Sequence, residues 1–307
     1  MQTTNNILIV RPSNFVFNAE TAGSNAFQNV VNDSDEAIKQ KVFEEFEEFA
    51  KTLKSRGINV CVVDDTATPQ KPDAIFPNNW VSFHADGTVI LYPMFAVNRR
   101  YERRMDIIEM LKGQFKIKKI VDLSHYEAEN KFLEGTGSIV FDHTHKIAYA
   151  CLSPRTHKDL LIELCEKINY RPIYFYAHDK SGKEIYHTNV MMCVGKTFAV
   201  VCLDSITNPD ERSAVVDSIF NSKKELIDIT FEQMNHFAGN MLELRTADAK
   251  GVLALSKSSY HSLSQEQRHA LEKHCKLVPL AIQTIETIGG GSARCMIAEI
   301  FCHKIDA

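Results

Sequence analysis

The sequence has 307 residues, 44% hydrophobic and 24% charged, with a formal net charge of −4, a globular composition long enough for one large domain or two small ones. The slightly acidic balance and the scattered Lys and Arg exclude a basic nucleic-acid footprint. No apolar run approaches the roughly 20 residues that span a bilayer.

The first residues, MQTTNNILIVRPSNF, have no basic region ahead of an apolar stretch, so they read as a strand over 7–10 rather than a signal peptide. Asp33, with Glu36 three residues on, has the spacing of a capping box. Ile38, Val42, Phe46, Phe49 and Leu53 then recur at helical steps until Gly57 ends the helix. INVCVVD (58–64) is the next strand, NRRYERRMDIIEMLK (98–112) a second helix and IKKIVDL (117–123) a strand. GSIVFDHTHKIAYACL (137–152) reads as a hairpin turning at 143–146, followed by a helix over 156–168 and a strand over 171–177. TNVMMCVGKTFAVVCLDSI (188–206) is another hairpin, then a helix (209–222) and a strand (225–229). Strands 241–245 and 251–256, a helix over 264–275 and a strand over 276–281 complete the series. Hairpin, helix and strand thus recur at a spacing of roughly 40–60 residues with no low-complexity linker. That pattern predicts a single α/β domain over 1–307 with antiparallel pairs in several small sheets, not one doubly wound parallel sheet. Neither G-x-G-x-x-G nor a P-loop follows a strand, so nothing points to nucleotide binding.

The eight cysteines include no C-x-x-C pair and no zinc-type spacing. Seven lie in apolar surroundings and read as small buried hydrophobes in a reducing cytoplasm. Cys295 differs, because GGGSARCM (289–296) surrounds it with glycine, serine and arginine. A nucleophilic thiol needs a base and a site for developing negative charge. The glycines would let backbone N–H groups approach a substrate, and an inward Arg294 would favour the thiolate. Among twelve histidines, His187 opens a predicted strand where scaffolds expose reactive groups. Glu134, in FLEGTGSIVF, enters another strand between apolar residues and glycines, a setting for holding a cation or shuttling a proton. Taken singly each has a plain structural reading: a loop carboxylate satisfied by backbone N–H groups, or a buried structural histidine. His143 and His145 suggest an H-x-H metal arm, but they sit in a tight turn without a third ligand and read as solvated.

Together and in this order, DAIFPNNW (73–80), FLEGTGS (132–138), LSPRT (152–156), YHTN (186–189) and GGGSARCM resemble the guanidine-modifying superfamily of arginine deiminases, dimethylarginine hydrolases and amidinotransferases. The resemblance covers essentially the whole chain. It implies a five-bladed α/β propeller (pentein) with pseudo-fivefold repeats, a site in the central channel, and no metal or organic cofactor. Cys295 would be the nucleophile, His187 the general acid/base, and Glu134 the carboxylate holding substrate and histidine. Arg155 would pair with the substrate's α-carboxylate. The basic run 98–104 is the other candidate for that pairing, its plain reading being an exposed helix face.

Two departures bear on substrate. Where deiminases carry aspartates that bind guanidinium, this chain has Asn79, preceded by Asn78, and Asn189. Amides donate as well as accept, which suits a neutral ureido group, and the pattern looks most like the citrulline-utilization hydrolases. Asparagine here is also a feature of the dihydrolase branch, which takes arginine-type substrates through both hydrolytic steps. The sequence reading is therefore a hydrolase of a linear ureido or amidine C–N bond, with citrulline as first substrate. Its alternative is an arginine or modified-arginine deiminase or dihydrolase; an amidinotransferase and a non-catalytic propeller are the further options. The expected partner is a small ureido or guanidino amino acid, not nucleic acid or membrane. The oligomeric state stays open, a homo-oligomer included, as does whether Asn78 or Asn79 faces the pocket.

Overall fold

The structure, a computed structural model, describes residues 1–305. Its strands form five three-stranded sheets. In chain order, four of them are Val81–Phe83 with Thr88–Leu91 and Lys119–Asp122, Val140–Asp142 with Ile147–Cys151 and Arg171–Phe175, Met192–Val194 with Phe198–Val201 and Glu225–Asp228, and Leu242–Arg245 with Gly251–Ser256 and Lys276–Leu280. In each, the first and second strands are antiparallel and the second and third parallel. The fifth sheet has the same pattern but joins the two ends of the fold: Asn6–Arg11 pairs in parallel with Asn59–Asp64 and antiparallel with Ala298–Glu299.

Parallel neighbours need a crossover, and each crossover carries a helix of eight residues or more: Asp35–Ser55, Met105–Lys112, Lys158–Ile168, Pro209–Asn221 and Gln265–Glu272. The middle strands are covered on both faces, which is why they read as unbroken apolar runs such as FAVV and IAYAC. The helix Asp35–Ser55 buries the stripe Ile38, Val42, Phe46, Phe49 and Leu53, and Gly57 follows it with a left-handed φ of 77°.

Three expectations change. Ser34, not Asp33, caps the first long helix; Asp33 instead meets Lys41 Nζ at 2.6 Å. The helix expected over 98–112 is broken into a 3₁₀ turn, Asn98–Glu102, and the helix Met105–Lys112. The tighter turn puts residues three apart in line, and Arg99 and Glu102 use that alignment to pair in the interior. The hairpins begin later than expected, because one helical turn precedes each: Gly135–Ser138 before Val140 and Thr188–Met191 before Met192. His187 therefore caps a short turn rather than opening a strand.

These lead-in segments position the site. Asn79 lies two residues before Val81, Ser138 two before Val140, Asn240 two before Leu242, and Asn189 and Cys295 each three before their strands. All eight cysteines are free, and no helix among the described residues is long and apolar enough to cross a membrane.

Candidate active site

Cys295, His187, Asn79, Arg99, Arg155, Asp73, Asn25, Phe76, Tyr186 and Gly289–Gly291 line one small cavity. The thiol follows a turn in which Cys295 N–H donates to Ser292 O at 2.9 Å. Two amides donate to its sulfur: Asn240 Nδ2 at 3.2 Å and Asn189 Nδ2 at 3.4 Å.

His187 meets Glu134 through Nε2···Oε2 at 2.7 Å. The other carboxylate oxygen accepts Phe95 N–H at 2.9 Å, and Arg155 lies 3.4 Å from Oε2. Burial opposes ionisation of Glu134, but Arg155, the His187 hydrogen bond and Arg99 outweigh it and hold its pKa well below the ordinary carboxylate range. Burial lowers the His187 pKa to about 4 against the opposing pull of Glu134, so the imidazole is neutral at pH 7. An ionised Glu134 only accepts, which makes Nε2 the protonated nitrogen and leaves a lone pair on Nδ1. Gly137 makes room for this edge: a Cβ there would stand 2.3 Å from Asn79 Nδ2 and 2.7 Å from His187 Nδ1.

Below the histidine lies a buried charged floor. Arg99 grips Glu102 with a two-pronged contact at 2.8 and 2.9 Å, and its third nitrogen donates to Asn79 Oδ1 at 3.0 Å. That bond fixes the Asn79 amide with Nδ2 turned away from Arg99, buried and without a partner. Asp73 Oδ2 takes Asn18 Nδ2 at 2.8 Å and lies 3.6 Å from Arg99 Nε, while its Oδ1 is buried and unpartnered. Burial raises the Asp73 pKa; Arg99 and Asn18 pull it back.

Not every residue singled out in the sequence reaches this cavity. Asn79 lines it and Asn78 does not; the Asn78 side chain is buried with neither polar atom hydrogen-bonded. Asn189 sits behind the sulfur, towards a second small cavity. Arg155 is buried, with Nη1 facing Glu134 and Nη2 donating to Ser24 Oγ at 2.5 Å and Thr21 O at 3.3 Å; its guanidinium lies 4.9 Å from the Tyr186 ring centre. Arg294 turns away, bonding Ile297 O and Glu299 at 2.9 Å each. The glycines serve packing more than an oxyanion cradle. Gly290, with φ 63°, closes the helix Gln283–Gly289 through its own N–H, and a Cβ at Gly289 or Gly291 would come within 2.8 Å of Phe76. His143 is half-buried rather than fully solvated, stacking on Phe141 with ring centres 5.2 Å apart and bonding Tyr170 at 2.8 Å, while His145 is exposed as expected.

Three residues escaped the sequence reading. Asp73 begins the very segment expected to grip substrate, six residues ahead of Asn79. Arg99 lies in the basic run, but it is buried, not on an exposed helix face. Asn240 carried one signal, its place two residues before an inner strand, the place Asn79 also holds.

Residues 11–302 match the family described as N,N dimethylarginine dimethylhydrolase, eukaryotic. A search of curated proteins returned no match. Among solved structures, the product-bound N-terminal domain of ArgZ, an arginine dihydrolase from the ornithine–ammonia cycle of cyanobacteria, superposes with a TM-score of 0.74 at 16% identity, over 96% of this chain and 97% of that one. AgrE in complex with ornithine and NAD+ gives 0.74 at 16% identity, over 98% of this chain but 40% of its own length. A dimethylarginine dimethylaminohydrolase adduct with S-methyl-L-thiocitrulline gives 0.65 at 12% identity, over 97% and 100%. At these identities the superpositions establish a shared mixed α/β fold. The family match over nearly the whole chain, on a fold that places a thiol, an imidazole and a carboxylate at one cavity, makes this protein a member of the dimethylarginine dimethylhydrolase family of the guanidine-modifying superfamily, hydrolases of carbon–nitrogen bonds.

Proposed function

We propose that the chain hydrolyses the guanidino group of an arginine-type amino acid and carries it through both C–N cleavages to ornithine. The observation that supports this most is Asp73 Oδ1, a buried, unpartnered carboxylate oxygen in the lining of the Cys295 cavity. A carboxylate only accepts, and a cationic N–H donor answers both its hydrogen-bonding and its charge requirement better than a neutral ureido group does. The sequence reading favours citrulline because amides stand at Asn79 and Asn189; Asp73 and the arginine dihydrolases among the structural neighbours favour the alternative.

In this reading the Cys295 proton passes to His187 Nδ1 as sulfur bonds the guanidinium carbon. Nδ1 returns the proton to the departing nitrogen, a C–N bond breaks and ammonia leaves. Water, deprotonated by Nδ1, then displaces the sulfur and gives the ureido compound. A second attack on the ureido carbon expels the ornithine amine, and water resolves the S-carbamoyl enzyme to carbon dioxide and ammonia. The sum is arginine plus two waters to ornithine, carbon dioxide and two ammonia. Glu134 holds His187 in its tautomer, Asp73 takes guanidinium N–H groups, and Arg155 offers its unpartnered Nε to the α-carboxylate.

The second round alone, on citrulline, is the competing reading. Asn79 Nδ2 favours it, because a buried, unpartnered amide donor suits a ureido oxygen. The deciding experiment incubates purified protein with arginine, dimethylarginine or citrulline and assays ornithine, citrulline and ammonia. Ornithine from arginine supports the dihydrolase, ornithine from citrulline alone restores the ureidase, and accumulating citrulline marks a deiminase. On this reading the five sheets are blades of one pseudo-fivefold catalytic propeller domain. The free cysteines fit a cytoplasmic setting, and the partner is a small amino-acid substrate.

A further inference from the structure

Among the described residues, no unpaired cation lines the Cys295 cavity. Arg294, its chain neighbour, is neutralised by Glu299, Arg99 is engaged by Glu102, Arg155 faces Glu134, and burial keeps His187 uncharged at neutral pH. Among the described residues the donors to the sulfur are two side-chain amides, those of Asn240 and Asn189.

Asn240 is held from every side. Its Oδ1 accepts Arg294 N–H at 3.1 Å, and its Nδ2 donates both to Asn189 O at 2.9 Å and to the sulfur at 3.2 Å. The backbone acceptor and donor fix which end of the amide faces the thiol, so the N–H is aimed before any charge appears. Gly239 permits this seating: a Cβ there would fall 2.3 Å from Val190 O. In the thiol state S–H faces Asn240 Oδ1 at 3.6 Å. Ionisation removes that weak donor and strengthens both N–H contacts, because a hydrogen bond to a charged acceptor is worth more than one to a neutral acceptor.

We infer that Asn240 is a catalytic residue: with Asn189 it forms a two-donor anion site that holds the Cys295 sulfur as the attacking thiolate. The inference rests on the reading of Cys295 as nucleophile and extends it to a residue that touches the reacting atom.

The test follows iodoacetamide alkylation of Cys295, resolved from the other cysteines by peptide mass spectrometry, between pH 6 and 9 in the full-length wild type, Asn240→Ala, Asn240→Ser and Asn189→Ala. Losing one charge-assisted hydrogen bond should slow alkylation at pH 7 about tenfold in both Asn240 variants, and less in Asn189→Ala, whose contact is longer. The deficit should close as the pH rises, since hydroxide then supplies the thiolate. A wild-type rate at pH 7, or a deficit that persists undiminished at pH 9, would overturn the assignment; the latter would show that the loop had merely moved. Should Asn240→Ala fail to fold, Asn240→Asp keeps the size, loses the donor and adds like charge, so it must be slower still. The readout needs no substrate. Absent turnover of arginine and citrulline would sink the substrate reading alone, whereas normal turnover with unchanged alkylation in the variants would sink Asn240 alone.

Discussion

His187 and Glu134 are joined through Nε2 and Oε2 at 2.7 Å, while the backbone of Phe95 pins the other carboxylate oxygen. The carboxylate thereby decides which imidazole nitrogen is a base. Glu134→Gln can donate to Nε2 and invert that choice, moving the proton to Nδ1. General acid–base catalysis is worth about 10²- to 10⁴-fold, so kcat should fall by about 100-fold or more with secondary structure retained. Steady-state kinetics beside circular dichroism measures this; near-normal kcat would remove the histidine from the mechanism.

Asp73 separates the two substrate readings. In Asp73→Asn the unpartnered oxygen loses its charge, and kcat/KM for arginine should drop by at least about tenfold, the equivalent of one charge-assisted hydrogen bond. Citrulline should be nearly unaffected. Parallel kinetics on both compounds checks it, and an equal effect on both would mean that Asp73 serves the fold rather than the guanidinium.

Gly137 offers a steric probe without a charge change. A methyl group there would press on Asn79 Nδ2 at 2.3 Å and on His187 Nδ1 at 2.7 Å, and Gly137 is not among the glycines with positive φ, so the backbone itself tolerates alanine. Gly137→Ala should cost about 1–3 kcal/mol of stability from overpacking and lose nearly all activity, because the displaced nitrogen is the proposed base. Thermal denaturation and an ornithine assay on the same preparation would show both effects. An active Gly137→Ala enzyme contradicts the assignment of Nδ1.

His84 provides a pH test away from the cavity. Burial lowers its pKa from 6.5 to about 4, so between those values the unfolded chain binds a proton that the folded chain refuses. Stability linked to this group is fully present above pH 6.5 and is lost as pH falls towards 4. His84→Gln removes the linkage. The variant's stability relative to wild type should therefore improve as pH drops through this window, by up to about 3 kcal/mol. Urea denaturation at pH 7, 5.5 and 4.5 follows it; a difference independent of pH would mean that His84 titrates normally in the fold.

The sheets were legible because their middle strands are buried on both faces and so appear as apolar runs between turn signals. Cys295 and Glu134 stand out by their glycine-bearing segments and His187 by its expected place at a strand mouth; the structure brings the thiol and the imidazole to one cavity and bonds the imidazole to the carboxylate. Arg99 was not, since a basic run on its own reads as a solvated surface; only the burial of Glu102 three residues later turns it inward. Asp73 and Asn240 were hidden for a related reason. Each is one polar residue whose role depends on what the fold brings opposite: Arg99, from the crossover of the sheet that Asp73 leads into, for one, and the sulfur for the other. Arg294 shows the converse, a suggestive neighbour in sequence that space assigns to Glu299.

Cys295 lies three residues ahead of Ala298–Glu299, the short strand that latches onto Asn6–Arg11 from the far end of the chain. The proposed nucleophile is thus delivered by the strand pairing of greatest sequence separation among the described residues, and such pairings form late because their loop-closure cost is largest. A refolding chain would build its histidine and its carboxylates into native-like sheets while the thiol still drifted. Catalytic competence would then arrive as a final event, a built-in report that the latch has shut.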